Sequence, residues 1–133
     1  MARHRDASGW IPGVVLAHLL VTLLHGRAHA IAAVALSTVS AAFIGIVIVA
    51  APLAGLAMTR YTGTAGHWTI ACSMTGAFVF GLVNHFVIES PDHVAHVTAA
   101  AAPLFATTAV LLGTLEIVSC MLALRALRRR RLA

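Results

Sequence analysis

Charge is scarce in this chain. Only 10% of its 133 residues are Asp, Glu, Lys or Arg, against about a quarter in a soluble domain, which is too few to cover a water-facing surface. Lysine is absent, and all nine basic residues are arginine. The two cysteines, Cys72 and Cys120, lie inside apolar runs with no CxxC spacing, so no thiolate metal motif exists and both read as small packing residues. A CxxCH motif is missing, which excludes covalently attached c-type haem. The chain also has no glycine-rich phosphate loop, nucleophile elbow or HExxH, and that leans against an enzyme.

What fills the chain instead is apolar. Hydrophobic residues make up 60% and mean hydropathy is +0.94, so the side chains must face something other than water. The reading is a single all-α transmembrane domain over 1–133. Four segments have the roughly 20 apolar residues that cross the hydrocarbon core as a helix: about 10–36, 40–58, 67–89 and 103–124. The breaks "LSTVS" and "TRYTGTAG" and the loop 90–102 carry the Ser, Thr, Gly and Pro of turns and caps. Pro52, late in the second helix, predicts a tolerated kink. The small-residue pairs Ala41 with Gly45, Ala51 with Gly55 and Ala77 with Gly81 would let helices approach closely.

The net charge of +5 does not point to nucleic acid, because the basic residues are not spread over a folded face. Five of the nine arginines are Arg125 and Arg128 to Arg131 in the tail 125–133, and Arg3 and Arg5 flank the first span. With the N-terminus inside, Arg60 joins them, and eight of nine arginines fall on the cytoplasmic side, the bias expected of membrane proteins. Both termini are then cytoplasmic, and the loop 90–102 faces outward. The expected location is a cell membrane, multi-pass, of the bacterial inner-membrane kind. "MARHR", an apolar run and "AHA" at 28–30 also describe a cleavable signal peptide. His18 within that run and Arg27 just before the cleavage site favour a retained helix.

Against this apolar background, titratable groups stand out. His18, Thr22, His25 and His29 fall within roughly 60° of arc on a helix advancing about 100° per residue, a polar stripe turned into a bundle. Arg27 points the opposite way. The third helix adds His85 and Glu89, one turn apart, followed by Asp92, His93 and His96, and the fourth adds Glu116. His67 and Trp68 read as an interfacial anchor. Rises of about 1.5 Å per residue put His25 near mid-bilayer, with His29 and His85 closer to the outward end.

Histidine with carboxylate is the usual ligand set of zinc, copper and non-haem iron. The outward cluster His85, Glu89, His93 and His96 is therefore the candidate metal site, with His25, His29 and His85 as candidate cofactor ligands. A haem b between His25 or His29 and His85 is a second ligand-based reading. His18 and Glu116 are the candidates for a proton relay or inter-helix pairing. The functional expectation is a small membrane protein binding a metal ion or haem, as accessory subunit of a redox complex. The alternative is a structural or assembly subunit whose polar column only bonds between helices or subunits, and an enzyme acting on a lipid or quinone ranks third. The expected partners are the lipid bilayer and other membrane subunits or a second copy of the chain, and no nucleic acid.

Overall fold

The computed structural model describes residues 7–132; Arg3, His4 and Arg5 lie outside them. The described residues are helical with connecting turns and contain no strand. After a single 3-10 turn at Ala7–Trp10 come four helices, each long and apolar enough to cross a membrane: α1 (Ile11–Ala32), α2 (Thr38–Met58), α3 (Thr64–Val87) and α4 (Ala102–Leu132).

Their ends have local causes. α1 stops at Ala32, short of the expected 36, because Ala33 turns left-handed (φ 53°). Its N–H reaches Ala30 O, and Val34 N–H reaches His29 O at 3.2 Å, a Schellman closure with alanine where glycine is usual. Ser37 caps α2, its hydroxyl oxygen accepting from Ser40 N–H at 3.0 Å. At Pro52 the helix departs from regular α geometry through a π turn at Ile44–Ala50. A proline has no N–H and its ring crowds the carbonyl four residues back, so Ala51 N–H bonds Ile46 O, one residue further than in an α-helix. α4 does not end near Leu124: it continues through the arginine-rich tail, since arginine is a good helix former and cations favour a helix C-terminus.

α4 is the hub, packing along both α1 and α3. α2 packs along α3 from Ile44 to Met58 and meets α1 mainly through its later half, Ala51–Met58. The first half of α2 therefore diverges from α1. In lipid, close packing rather than a hydrophobic force holds helices together, and the tightest crossing is glycine on glycine. A Cβ on Gly66 would lie 2.5 Å from Thr59 N and 2.6 Å from Gly55 O. Of the small-residue pairs in the sequence, Gly55 makes such an approach, whereas a Cβ on Gly45 would meet nothing within 4 Å.

Two apolar clusters mark the ends of the bundle. Ile11, Val15, Ile70, Met74 and Ala123 pack at the tail end; Ala28, Ala32, Val97, Ala101 and Phe105 pack at the other, where the 88–101 turn folds in. Cys120 packs against the first cluster with its Sγ 3.4 Å from Thr75 Oγ1. Cys72 is exposed instead, on a span whose outer face is apolar. His67 does not anchor outward as Trp68 does: it is buried, and its ring nitrogen donates to Gly63 O.

Candidate metal centre

Buried polar groups lie between the two apolar clusters, and three of them are histidines of α1. His18, His25 and His29 occupy one stripe of α1, all buried, while Arg27 is exposed on another face. The stripe faces α4 and α3. His18 Nε2 lies 3.2 Å from Glu116 Oε1, with both side chains at most 5% exposed. Charged or titratable groups at this depth cost several kcal/mol unless matched, and each supplies the other's partner.

Further toward the loop end three imidazoles converge. His25 Nε2 is 3.1 Å from His85 Nε2 and 3.2 Å from His29 Nε2. The ligand nitrogens of all three lie within 4.8 Å of one another, and all three residues are buried. Phe105 closes the group, its ring centroid 4.7, 4.9 and 5.1 Å from those of His25, His29 and His85.

Backbone irregularity brings His85 into this group. α3 ends in a second π turn, Val83–Val87, in which Ile88 N–H bonds Val83 O at 2.8 Å. Such turns recur at functional sites because they re-aim a side chain. Ile88 then goes extended, and the chain doubles back so that Val94 N–H donates to His85 O at 3.0 Å. Asp92 thereby comes to lie beside the histidines, its Oδ1 3.4 Å from His29 Nε2 and its Oδ2 3.5 Å from His85 Nδ1.

The surroundings decide where the ring protons sit. The Thr108 hydroxyl donates to Leu104 O at 2.7 Å, so its oxygen accepts from His25 Nδ1–H at 2.8 Å. His85 Nδ1 faces only acceptors, Asp92 O at 3.1 Å and Asp92 Oδ2, and so carries the proton. In their neutral forms both rings then turn a lone pair toward the other across 3.1 Å. A cation or a shared proton relieves that contact, whereas a His29 Nε2–H, 3.2 Å away, would answer the His25 lone pair alone. Locking the distal ring nitrogen on a hydroxyl, carbonyl or carboxylate is how proteins orient metal-ligating histidines. Two further buried atoms of the cluster lack hydrogen-bond partners among the described residues: His29 Nδ1 and Asp92 Oδ1.

The other residues singled out by the sequence lie elsewhere. Glu89 is past the end of α3 and exposed, so it shares no helix face with His85. His93 and His96 lie against each other at 5.3 Å between centroids, their rings tilted by 45°, and serve the turn: His93 Nδ1 accepts from Ala95 N–H, and His96 Nδ1 donates to Ser90 O. The structure brings together His25, His29 and His85, and adds Asp92, Thr108 and Phe105. Asp92 was visible as a carboxylate beside the histidines; Thr108 and Phe105 carried no signal separating them from packing residues.

Beside the imidazoles lies a cavity of about 300 Å³. Its lining includes His25, His29, His85 and Asp92, together with Thr22, Thr114 and Glu116 and the apolar Ile48, Ala77 and Phe78. The chain matches no protein family model, no curated protein and no solved structure.

Proposed function

We propose that this chain is a multi-pass membrane protein that holds one first-row transition-metal ion, of the zinc or copper class, on Nε2 of His25, His29 and His85, with the Asp92 carboxylate as fourth ligand. The observation that carries the reading is the pair of Nε2 lone pairs converging at 3.1 Å from rings whose other nitrogens are already committed. Metal–nitrogen bonds of about 2.0–2.1 Å in a tetrahedron imply nitrogen separations of roughly 3.3 Å, close to the 3.1 and 3.2 Å of the two His25 pairs, with all three ligand nitrogens inside 4.8 Å. Asp92 Oδ1, buried and without a hydrogen-bond partner, is the carboxylate oxygen such an ion would take.

The same spacing favours an ion over haem. Two axial histidines must stand on opposite faces of a planar macrocycle, whereas these rings contact one another edge to face at 4.8 and 4.9 Å between centroids.

Orientation follows from charge. Arg130 lies against Gly63, so the tail and the Arg60 turn sit at one end of the bundle and the metal cluster toward the other. The positive-inside bias then puts both termini in the cytoplasm and the metal toward the outer face. Arg27, exposed within its span, supports a place beside another membrane subunit, in keeping with an accessory role in a redox assembly.

Elemental analysis and an absorption spectrum of tag-free protein, purified gently in detergent, test the reading. One zinc or copper per chain, lost in His85→Ala with helicity retained, is expected. A protein that remains metal-free after reconstitution refutes it, and a Soret band replaces the ion by haem.

A further inference from the structure

α1 turns its histidines into the bundle and an arginine out of it. Arg27 follows His18 by about two and a half turns and so stands on the opposite side of the helix, where it is exposed. Along the same face Gly13, Leu16, Leu20, Leu23 and Ala30 are exposed as well. Together with Arg27 they fall at alternating steps of three and four residues, the spacing of a seam against which one further helix packs. Leucines alone would say nothing of a neighbour, because lipid tails suit them equally well. The arginine does.

Arg27 lies about 7.5 Å along the axis inside the end of α1 at Ala32. The Cα–Cβ bonds of a helix tilt toward its N-terminus, so this side chain sets out toward the middle of the span rather than toward the headgroups beyond Ala32. The carboxylates of the described residues are engaged or remote. Glu116 meets His18, and Asp92 meets His29 and His85, all on the histidine side of α1, while Glu89 lies past the end of α3. Among the described residues Arg27 has no ion-pair partner. A charge within a span is costly unless an opposite charge answers it.

A second copy does not answer it. Two chains in the same orientation, related by a two-fold axis, would set this seam against itself and Arg27 against Arg27. We infer that the outward face of α1 docks a transmembrane helix of a different protein, one that carries an Asp or Glu at the level of Arg27. The planar guanidinium pairs with a carboxylate through two parallel hydrogen bonds, and one polar residue in an otherwise apolar seam fixes partner and register. This surface deepens the accessory-subunit reading above and depends on the helices spanning a membrane, not on the metal ion.

The test uses the full chain in phosphatidylcholine vesicles, with Trp10 and Trp68 as fluorescence donors. The probes are three lysine-flanked leucine–alanine peptides of about 20 apolar residues, each bearing a dansyl acceptor. They differ at one position about 7.5 Å from one end of the helix, which is Glu, Gln or Leu. The Glu peptide should quench the tryptophans with at least five-fold higher apparent affinity than the other two. Arg27→Leu should remove that preference without lowering the thermal midpoint, since Arg27 is exposed, and Arg27→Glu should transfer it to a fourth peptide bearing Arg. Peptides that quench alike, or a Glu preference that survives Arg27→Leu, overturn the inference. A dimer of the natural chain that Arg27→Leu dissolves also overturns it and gives the face to a second copy. A chain that does not insert into the vesicles overturns the membrane reading itself. A metal-free chain that still prefers the Glu peptide leaves the docking face standing and refutes the metal reading alone.

Discussion

Replacing Thr108 by valine tests the proposed metal centre without touching a proposed ligand. The two side chains are nearly isosteric, so the packing around position 108 is kept, and what disappears is the oxygen 2.8 Å from His25 Nδ1. That oxygen holds the His25 proton on Nδ1 and so keeps the Nε2 lone pair aimed at His85 and His29. Without it the ring gains freedom to rotate or change tautomer, and a buried N–H loses its acceptor. Removing such a supporting partner typically weakens a metal site ten- to hundred-fold, or about 1.4 to 2.7 kcal/mol. Competition between the detergent-solubilised protein and a fluorescent zinc chelator measures this directly, with the thermal midpoint as a check on the fold. Thr108→Ser, which restores the hydroxyl, should return affinity to within about three-fold of the natural chain. If Thr108→Val binds zinc as tightly as the natural chain with an unchanged midpoint, the hydroxyl does not set the His25 tautomer and the lone-pair argument fails.

Three other substitutions address the frame. His18→Ala leaves Glu116 buried without its partner and should cost about 3–5 kcal/mol, read as a lowered midpoint. His18→Met with Glu116→Met should recover most of that loss, and a double variant no better than the single would show that the pair does not act as a unit. Gly66→Ala places a methyl 2.5 Å from Thr59 N and 2.6 Å from Gly55 O, so α2 and α3 must separate; a loss of up to about 3 kcal/mol is expected, and an unchanged midpoint would mean the crossing is looser than described. Ala33→Gly relieves the left-handed residue closing α1 (φ 53°) and should stabilise by about 1 kcal/mol, whereas destabilisation would argue that the alanine methyl packs usefully there.

Much of this architecture is written in composition and periodicity. Four apolar runs of spanning length announce four helices, because backbone groups in lipid can be satisfied only within a helix or a closed barrel. The α1 stripe of His18, Thr22, His25 and His29 was legible because α1 is regular: 100° steps put these side chains on one face, and that face is turned into the bundle. Glu116 was legible as needing a partner, because a carboxylate at that depth is costly alone, and His18 meets it. The ends of α1 and α4 were less legible. A left-handed alanine ends one helix where no glycine announced a stop, and an arginine run extends the other although its charge marks it as outside the membrane.

The histidine cluster was legible only as far as the helices stay regular. Ideal geometry joins His85 to Glu89 one turn on, and joins His93 to His96. Both inferences assume 3.6 residues per turn beyond Leu82, and the chain abandons that period at Val83. A π turn accommodates one extra residue, so everything after it is rotated relative to an ideal helix, and α3 ends before Glu89 can share a face with His85. The carboxylate beside His85 comes instead from Asp92, seven residues on, delivered by a chain reversal pinned by Val94 N–H on His85 O. Hydrophobic periodicity cannot register such a step, because the residues around it, Val83, Phe86, Val87 and Ile88, are as apolar as those of a regular span. The irregular turn is therefore the element on which the site depends most. It ties His85 to the chain reversal through the backbone as well as through Asp92, and so holds its imidazole against His25 and Phe105.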